Sequence, residues 1–588
     1  MKLIYPSCLQ RQSVTLIRAL LYSVLSLLFL LFYTEIAHRF GGLPSLLPAW
    51  EREIPLLLYL FFYMILITKP SRWQPVIAAL PVVFMYAIFD IYHVLFGRLL
   101  RVIEVSELPE MVIVLSWPSK ILLVLSVGLL GLIMVRQVAW RRPRPLIWGM
   151  IPLLALAVAV EFFPERFMAG FERIKKPIHW MSDSEQARRN GRINIALYNE
   201  ARRVSGLKRT IGYRDNPHYL TMFAAAVHTL QGMEVHRNVH LIVLESFLDP
   251  TLLAGVTFSR NPLHPDFQEL FQERGGFSRS PVFGGATAQA EFEVLCGVPA
   301  LRELSGIEFD VFTGTRTLCL PNILSETGYQ TIATNAFYPD FFNATKAYRG
   351  LGFASINFPR EFAPVGGSYF ATGDTSGESF LYDGALFSQN LDHVRTWMKE
   401  HPGVPLFNYV MTIYGHTPHL INHDKRPLMV ELSCSGTCRD RQLERSVNQF
   451  YYRTGEIAAY ARELISIDPQ SIIIFVSDHL PSLTYGPITY RDLGYLGNEE
   501  GATTLNRLYV IENGRPIRLE TIHHYDIPGI ILSYLTENRV NHALTSSRDL
   551  HQTRNSAALR IQYLTIMAHA MHGQPLGSWL GGRTAQAR

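Results

Sequence analysis

Five long apolar runs fall within the first 165 residues of this 588-residue chain, and no other feature restricts its fold as strongly. They lie at 14–36, 54–68, 75–96, 118–135 and 145–163, and a helix needs roughly 20 residues to cross a bilayer. The first run is too long to be a removed signal peptide and lacks the small-residue cleavage site. The reading is an N-terminal α-helical membrane domain of five spans over residues 1–163. Loop charge orients it. With the N-terminus inside, Lys2, Arg11, Arg18, Lys69, Arg72, Arg136, Arg141, Arg142 and Arg144 fall on the cytoplasmic side, against Arg39, Arg52, Arg98 and Arg101 opposite. An odd number of spans then delivers everything after residue 163 to the outside. Asp90 and His93, near the outer end of the third span, are either a functional pair or a headgroup-level one.

The remainder reads as soluble protein. Residues 164–236 are polar, with helical stretches such as 185–201, and suit a juxtamembrane helical linker. From 237 to 545 short apolar strands alternate with amphipathic helices, which predicts an α/β domain with a largely parallel central sheet. A helical and polar C-terminal tail follows over 546–588. The 54 basic and 49 acidic residues leave a net charge of +5, too mild to argue for nucleic acid as a partner. Cys8 precedes the first span, and Cys296, Cys319, Cys434 and Cys438 lie in the soluble part. An even number there fits two disulfides in an oxidising compartment or buried free thiols, and spacing does not choose between them.

The clearest predicted strands are 239–244, 331–334, 406–413, 472–476 and 508–511. In parallel sheets, ligands gather at the carboxyl ends of strands. Glu245 directly follows the first strand, His416 comes just after the third, and Asp478 and His479 follow the fourth. A single acid after a strand is ordinarily a cap or a turn residue, whereas an Asp-His pair more often marks a site. Three such strand ends offer carboxylate, carboxylate and imidazole, which suit one divalent ion, Mn or Zn. The run Gly284-Gly285-Ala286-Thr287, followed by a helical-looking Glu291-Phe292-Glu293, suggests a loop entering a helix N-terminus. Local sequence alone favours Thr287 as that helix's cap. The alternative is a nucleophile whose hydroxyl a metal activates.

Together these segments resemble the lipoteichoic acid synthase and phosphoglycerol transferase branch of the alkaline phosphatase–sulfatase superfamily. The order carries the resemblance: spans, a linker, a strand ending in Glu245-Ser246, and a glycine-rich loop with Thr287 before Glu291-Phe292. Gly415-His416-Thr417-Pro418-His419 and Ser477-Asp478-His479-Leu480-Pro481 follow. Stretches at 319–329, 348–353 and 523–528 also match. The resemblance implies a sulfatase-like fold in which Glu245, Thr287, Asp478 and His479 bind one divalent metal, Mn or Zn. Thr287 is then the nucleophile, and His416 contacts the substrate phosphate or moves a proton. His419, Asn335, Phe342, Lys346 and His523 are the further substrate-binding candidates. The sulfatase branch itself is disfavoured, because Thr287 stands where a formylglycine precursor would be.

One departure concerns the headgroup. Asn335, Phe341-Phe342 and Ala344 stand where lipoteichoic acid synthases carry a histidine, a Phe-Trp pair and an arginine around glycerol phosphate, so only Lys346 or Arg349 could replace that arginine. The implied activity is ping-pong transfer of a phospho-alcohol group, phosphoglycerol first, from a phospholipid donor to an envelope glycan or polymer. The place is a bacterial inner membrane, with the catalytic domain on the periplasmic or extracellular side. A phosphoethanolamine transferase and a non-catalytic scaffold in envelope polysaccharide assembly are the alternatives.

Overall fold

The computed structural model describes residues 6–41, 43–96, 99–107, 117–141, 143–174, 183–214, 216–363, 367–434, 440–539 and 553–573. Lys2, Arg98, Arg142 and Cys438 lie outside the described residues, as does the 545/546 boundary. The chain divides into two compact units, Met1–Leu207 and Lys208–Arg588.

The first unit is helical: α1 (Pro6–Gly41), α2 (Trp50–Ile67), α3 (Gln74–Phe96), α4 (Trp117–Gln137), α5 (Pro143–Phe162) and α6 (Arg192–Arg214, which runs on past residue 207). Among the described residues, four helices are long and apolar enough to cross a membrane, within α1, α3, α4 and α5. The second expected span, 54–68, lies in α2, whose opening turn carries Glu51, Arg52 and Glu53 and so falls outside that set. On α4 and α5, Leu122, Val124, Trp148 and Leu154 are exposed. Water penalises such surface, and hydrocarbon does not.

Buried charge joins these helices to α6. Arg192 is 1% exposed; it donates to Asp90 Oδ1 at 2.6 and 3.0 Å and to the Pro44 carbonyl at 2.8 Å. Tyr33 donates to the other Asp90 oxygen at 3.0 Å. Asp90 is thus held by Arg192 and Tyr33. Glu53 accepts from the backbone amides of Ile193 and Asn194 and from Tyr86, at 2.8, 3.1 and 2.9 Å. A carboxylate at a helix N-terminus meets both the unpaired amides and the positive end of the dipole. Gly191, at φ +91°, makes this approach possible, since a Cβ there would sit 2.1 Å from Glu53 Oε2.

The second unit is built on a nine-stranded sheet, counted among the described residues. Its strands are β1 (Val239–Leu244), β2 (Gly276–Arg279), β3 (Gln330–Asn335), β4 (Ser355–Asn357), β5 (Leu406–Met411), β6 (Ile472–Ser477), β7 (Leu505–Glu512), β8 (Arg515–Ile517) and β9 (Ile522–His523). The order is β9-β2-β7-β6-β1-β5-β3-β4, with β8 on β7. Strands β6, β1, β5, β3 and β4 run parallel, whereas β7 is antiparallel to β6 and β2. Every residue of β1, β5 and β6 is buried, which is why all three read as continuous apolar runs. Helices α7 (Thr287–Cys296), α8 (Ala344–Leu351), α9 (Asp383–Glu400), α10 (Arg441–Ile467) and α11 (Thr553–His572) belong to this unit. Phe247, Phe267, Phe387, Phe450 and Phe475 share its main core. In the region expected as a tail, α11 buries Tyr563, Leu564, Ile566 and Met567, and Tyr563 packs edge-on against Phe292 of α7 at 6.0 Å.

Candidate active site

Register brings the chemistry together. Strand β1 lies between β5 and β6, with Val243 opposite Met411 and Leu244 opposite Ser477. The residues following these strands therefore emerge side by side at the carboxyl end of the sheet. Glu245, Asp478 and His479 are each at most 2% exposed, and each offers one ligand atom within 4.8 Å of the others.

Each is held by its neighbours. Asp478 Oδ1 accepts from the backbone amides of Ser246 (2.8 Å) and His479 (2.6 Å). Ser246, at φ +47°, donates its hydroxyl to Glu245 Oε1 at 2.7 Å. The Glu245 amide donates to Thr412 Oγ1, just after β5, at 3.0 Å. His479 Nδ1 lies 3.0 Å from the Leu480 carbonyl, which fixes the proton there and makes Nε2 the nitrogen that carries the lone pair. Nε2 sits 3.2 Å from Asp478 Oδ2 and 4.0 Å from Glu245 Oε1.

Thr287 completes the group. It is the first residue of α7, and the cap position belongs to Ala286 at φ +64° with no side-chain cap. The threonine hydroxyl instead donates to Glu245 Oε2 at 3.0 Å and lies 3.4 Å from His479 Nε2. The cap favoured by local sequence is thus not the role this side chain plays. Gly284 and Gly285, at φ +69° and +153°, shape the turn, and the Gly284 amide is anchored on the Leu480 carbonyl at 3.1 Å.

The electrostatics call for a cation. Burial and the neighbouring Glu245 charge push the Asp478 carboxyl well above its usual range. Burial alone would raise Glu245 as well, but His479, His416 and the Ser246 and Thr287 hydroxyls hold it below its ordinary value. Asp478 Oδ2 is buried and accepts no hydrogen bond among the described residues. Two carboxylates, an imidazole nitrogen and a hydroxyl converging at these distances fit one divalent ion.

The other sequence candidates divide. His416 is half-buried, with Nδ1 2.8 Å from the Thr417 carbonyl and its ring packed edge-on against Phe380. Its charge acts on Glu245. His419 is buried at φ +54° beside Gln449, and burial lowers its pKa to about 4. Asn335 has its amide occupied by Tyr348 and by the Phe337 amide. Phe342 is half-buried at φ +49°, its ring tilted against that of Phe341, while Lys346 and Arg349 are exposed on α8. His523 pairs with Arg279 across β9 and β2 and stacks on Tyr525 at 4.7 Å; burial lowers it to about 4.

Four supporting residues were given no role from sequence, although Ser246, Glu291 and His524 stand in the matched motifs. His524, next to the anticipated His523, is fully buried, with Nε2 3.0 and 3.3 Å from the Ser477 and Asp478 carbonyls and Nδ1 2.7 Å from the Ser278 hydroxyl. Burial lowers its pKa to about 3. Arg453 of α10, ion-paired with Asp383 at 2.6 Å, lies beneath Gly415, where a Cβ would meet the Glu245 carbonyl at 2.0 Å and the guanidinium at 2.3 Å. Ser246 and Glu291 are the other two. The third glycine of the loop motifs, Gly415, was legible as part of a motif, but its packing reason was not.

Disulfides brace the domain. Cys296, the last residue of α7, is bonded to Cys319. A loop of that 23-residue separation is worth about 3 kcal/mol in chain-entropy terms. Cys434 is also disulfide-bonded.

A family model described as sulfatase matches residues 237–557, more than half of the chain. A putative cyclic beta-1,2-glucan modification protein from Rhizobium meliloti (strain 1021) is 28% identical over 283 residues, 46% of this chain and 40% of that protein. The chain thus matches less than half the length of this curated relative. Among solved structures, the Streptococcus pyogenes phosphoglycerol transferase GacH in complex with sn-glycerol-1-phosphate is 18% identical, with a TM-score of 0.48, covering 64% of this chain and 96% of that one. The C-terminal periplasmic domain of EcEptC from Escherichia coli in complex with Zn is 11% identical, with a TM-score of 0.32, covering 48% and 74%.

Proposed function

The chain belongs to the sulfatase family, and from that premise we propose that it is a membrane-anchored phosphotransferase that works through a phospho-threonine at Thr287. The observation that carries this reading is the Thr287 hydroxyl, bonded to Glu245 and 3.4 Å from His479 instead of capping its own helix. Glu245, Asp478, His479 and Thr287 would hold one Mn or Zn ion. When bound, such an ion lowers the pKa of a hydroxyl and polarises a phosphoryl oxygen.

The chain's own residues then divide the work. Glu245 Oε2 accepts the hydrogen bond of the Thr287 hydroxyl, aligns it and takes its proton. The threonine oxygen forms a bond to the donor phosphorus as the bond to diacylglycerol breaks. His416, with Nδ1 engaged by the Thr417 carbonyl, uses Nε2 to protonate the departing alcohol and later to deprotonate the acceptor hydroxyl, whose oxygen bonds to phosphorus as the bond to the Thr287 oxygen breaks and Glu245 returns the proton to that oxygen. His419, buried and uncharged at neutral pH, supports that loop.

The donor is a phospholipid, phosphatidylglycerol first. Phosphatidylethanolamine is the second reading, favoured because Ala344 is buried at the start of α8 and Lys346 and Arg349 are exposed. The acceptor is an envelope glycan hydroxyl, a class that the name of the Rhizobium relative supports. We place the protein in the bacterial inner membrane with the catalytic domain on the periplasmic side. Counting α2 as a fifth span gives that topology with the N-terminus inside, and its Glu53 is hydrogen-bonded within the protein instead of facing hydrocarbon. Disulfides favour an oxidising compartment.

Supplying headgroup-labelled phosphatidylglycerol and phosphatidylethanolamine separately to the full-length protein, then reading the mass of the Thr287 peptide, tests this. Label on Thr287 from phosphatidylglycerol, absent in Thr287→Ala, is the expected result. Label from the ethanolamine lipid alone selects the second reading. Label from neither, with acceptor and metal present, overturns both in favour of a non-catalytic scaffold.

A further inference from the structure

Glu291 lies one helical turn after Thr287 on α7, on the same face. It is 4% exposed. A buried carboxylate is costly unless hydrogen-bonded, and this one is bonded in a particular way. One oxygen, Oε2, accepts from both the Tyr348 hydroxyl of α8 and the Tyr409 hydroxyl of β5, the latter at 2.7 Å. Tyr348 in turn accepts from Asn335 Nδ2 at 2.8 Å, and Asn335 Oδ1 accepts from the Phe337 amide at 2.9 Å.

That chain of bonds joins three parts of the site. It begins on the helix that carries Thr287. Through Tyr409 it reaches β5, whose continuation supplies Thr412 to the Glu245 amide and then His416. Through Tyr348 and Asn335 it reaches the end of β3 and the loop with Phe337, Phe341 and Phe342. Phe337 also packs near Phe380, which contacts His416. Burial raises the Glu291 carboxyl to about 7, consistent with a group enclosed on all sides.

We propose that Glu291 is a positioning residue that fixes the Thr287 oxygen relative to the loop after β3 on the donor side, acting through Tyr348 and Tyr409. This rests on the phosphotransferase reading above. Glu291 touches neither the metal ligands nor, in this account, the substrate. Its effect is on alignment, to which displacement reactions are sensitive: a misplacement of about 1 Å can cost about a hundredfold in rate.

The test uses the full-length protein in detergent–lipid micelles. It measures three quantities: the single-turnover rate of Thr287 labelling from headgroup-labelled phospholipid, Mn²⁺ affinity by calorimetry, and the melting temperature. Glu291→Ala should slow labelling about a hundredfold and Tyr348→Phe about tenfold. Glu291→Gln, which keeps an acceptor for both tyrosines, should stay within about fivefold of native, and all three should hold Mn²⁺ within about threefold of native affinity. Tyr348→Phe preserves shape and so covers the case in which Glu291→Ala fails to fold. Native labelling rates in Tyr348→Phe, or Mn²⁺ affinity falling in step with rate, would overturn the proposal in favour of a network that only holds the core. Absence of label in the native protein would instead count against the phosphotransferase reading.

Discussion

Two clusters of buried charge, one in each unit, are built to opposite ends. Among the helices of the first unit, Asp90 and Glu53 are fully engaged: Arg192 and Tyr33 hold the former, and two backbone amides and Tyr86 hold the latter. In the second unit, Glu245 and Asp478 share a comparably dry site; among the described residues no arginine or lysine is a hydrogen-bond partner of either, and Asp478 Oδ2 accepts nothing. A buried charge that the fold itself neutralises is architecture. One that the fold leaves short of positive charge is a place for a ligand to supply it.

The contrast can be broken at either end. Asp478→Asn removes a ligand and a repelling neighbour of Glu245 together, so turnover should fall by at least about a thousandfold. The metal-free variant should nevertheless melt no lower than the metal-free native chain. A lower melting point would show that Asp478 is architecture too. Arg192→Met leaves the Asp90 charge buried without its cationic partner, with the Tyr33 hydrogen bond still in place, which should cost about 3–5 kcal/mol in a denaturant titration in detergent. Adding Asp90→Leu should recover most of that loss, and a cost below about 1 kcal/mol would mean the ion pair is dispensable.

The smallest effect concerns pH. His419 has a folded pKa of about 4 against an ordinary 6.5, with burial as the main cause. Between those values the unfolded chain takes up a proton that the folded one refuses, so stability falls as pH drops from 6.5 towards 4. The span amounts to about 3 kcal/mol. His419→Phe should flatten that part of the stability–pH curve, and an unchanged slope would place the acid sensitivity elsewhere.

What the sequence disclosed follows from how each part is stabilised. Strands β1, β5 and β6 are buried on both faces and so write themselves as apolar runs, with Glu245, His416 and Asp478 at or just past their ends. β4 and β9 have three and two residues, and β2 has four of alternating burial; they are held by their partners and leave no such trace. The reversed direction of β7 is a property of pairing and not of composition. Thr287 was ambiguous locally, because a cap and a nucleophile use the same residue at the same kind of position; the αL conformation of Ala286 decided it. Whether His523 or its neighbour His524 meets the site depends on a single 3-10 turn at 524–526. The partners of Glu291 and Arg192 were not legible, since only tertiary packing supplies them. The three charges in the first turn of α2 were legible in composition, but the partners that bury Glu53 lie well over a hundred residues further along the chain.

In the proposed reaction, transfer depends on one cation held by Glu245, Asp478, His479 and Thr287. The most direct measurement is elemental analysis of the purified full-length protein by plasma mass spectrometry, native against Glu245→Ala/Asp478→Ala. About one Mn or Zn per native chain and almost none in the double variant is the predicted result. Full metal content in the double variant, or a native protein that transfers headgroups after rigorous chelation, would contradict it.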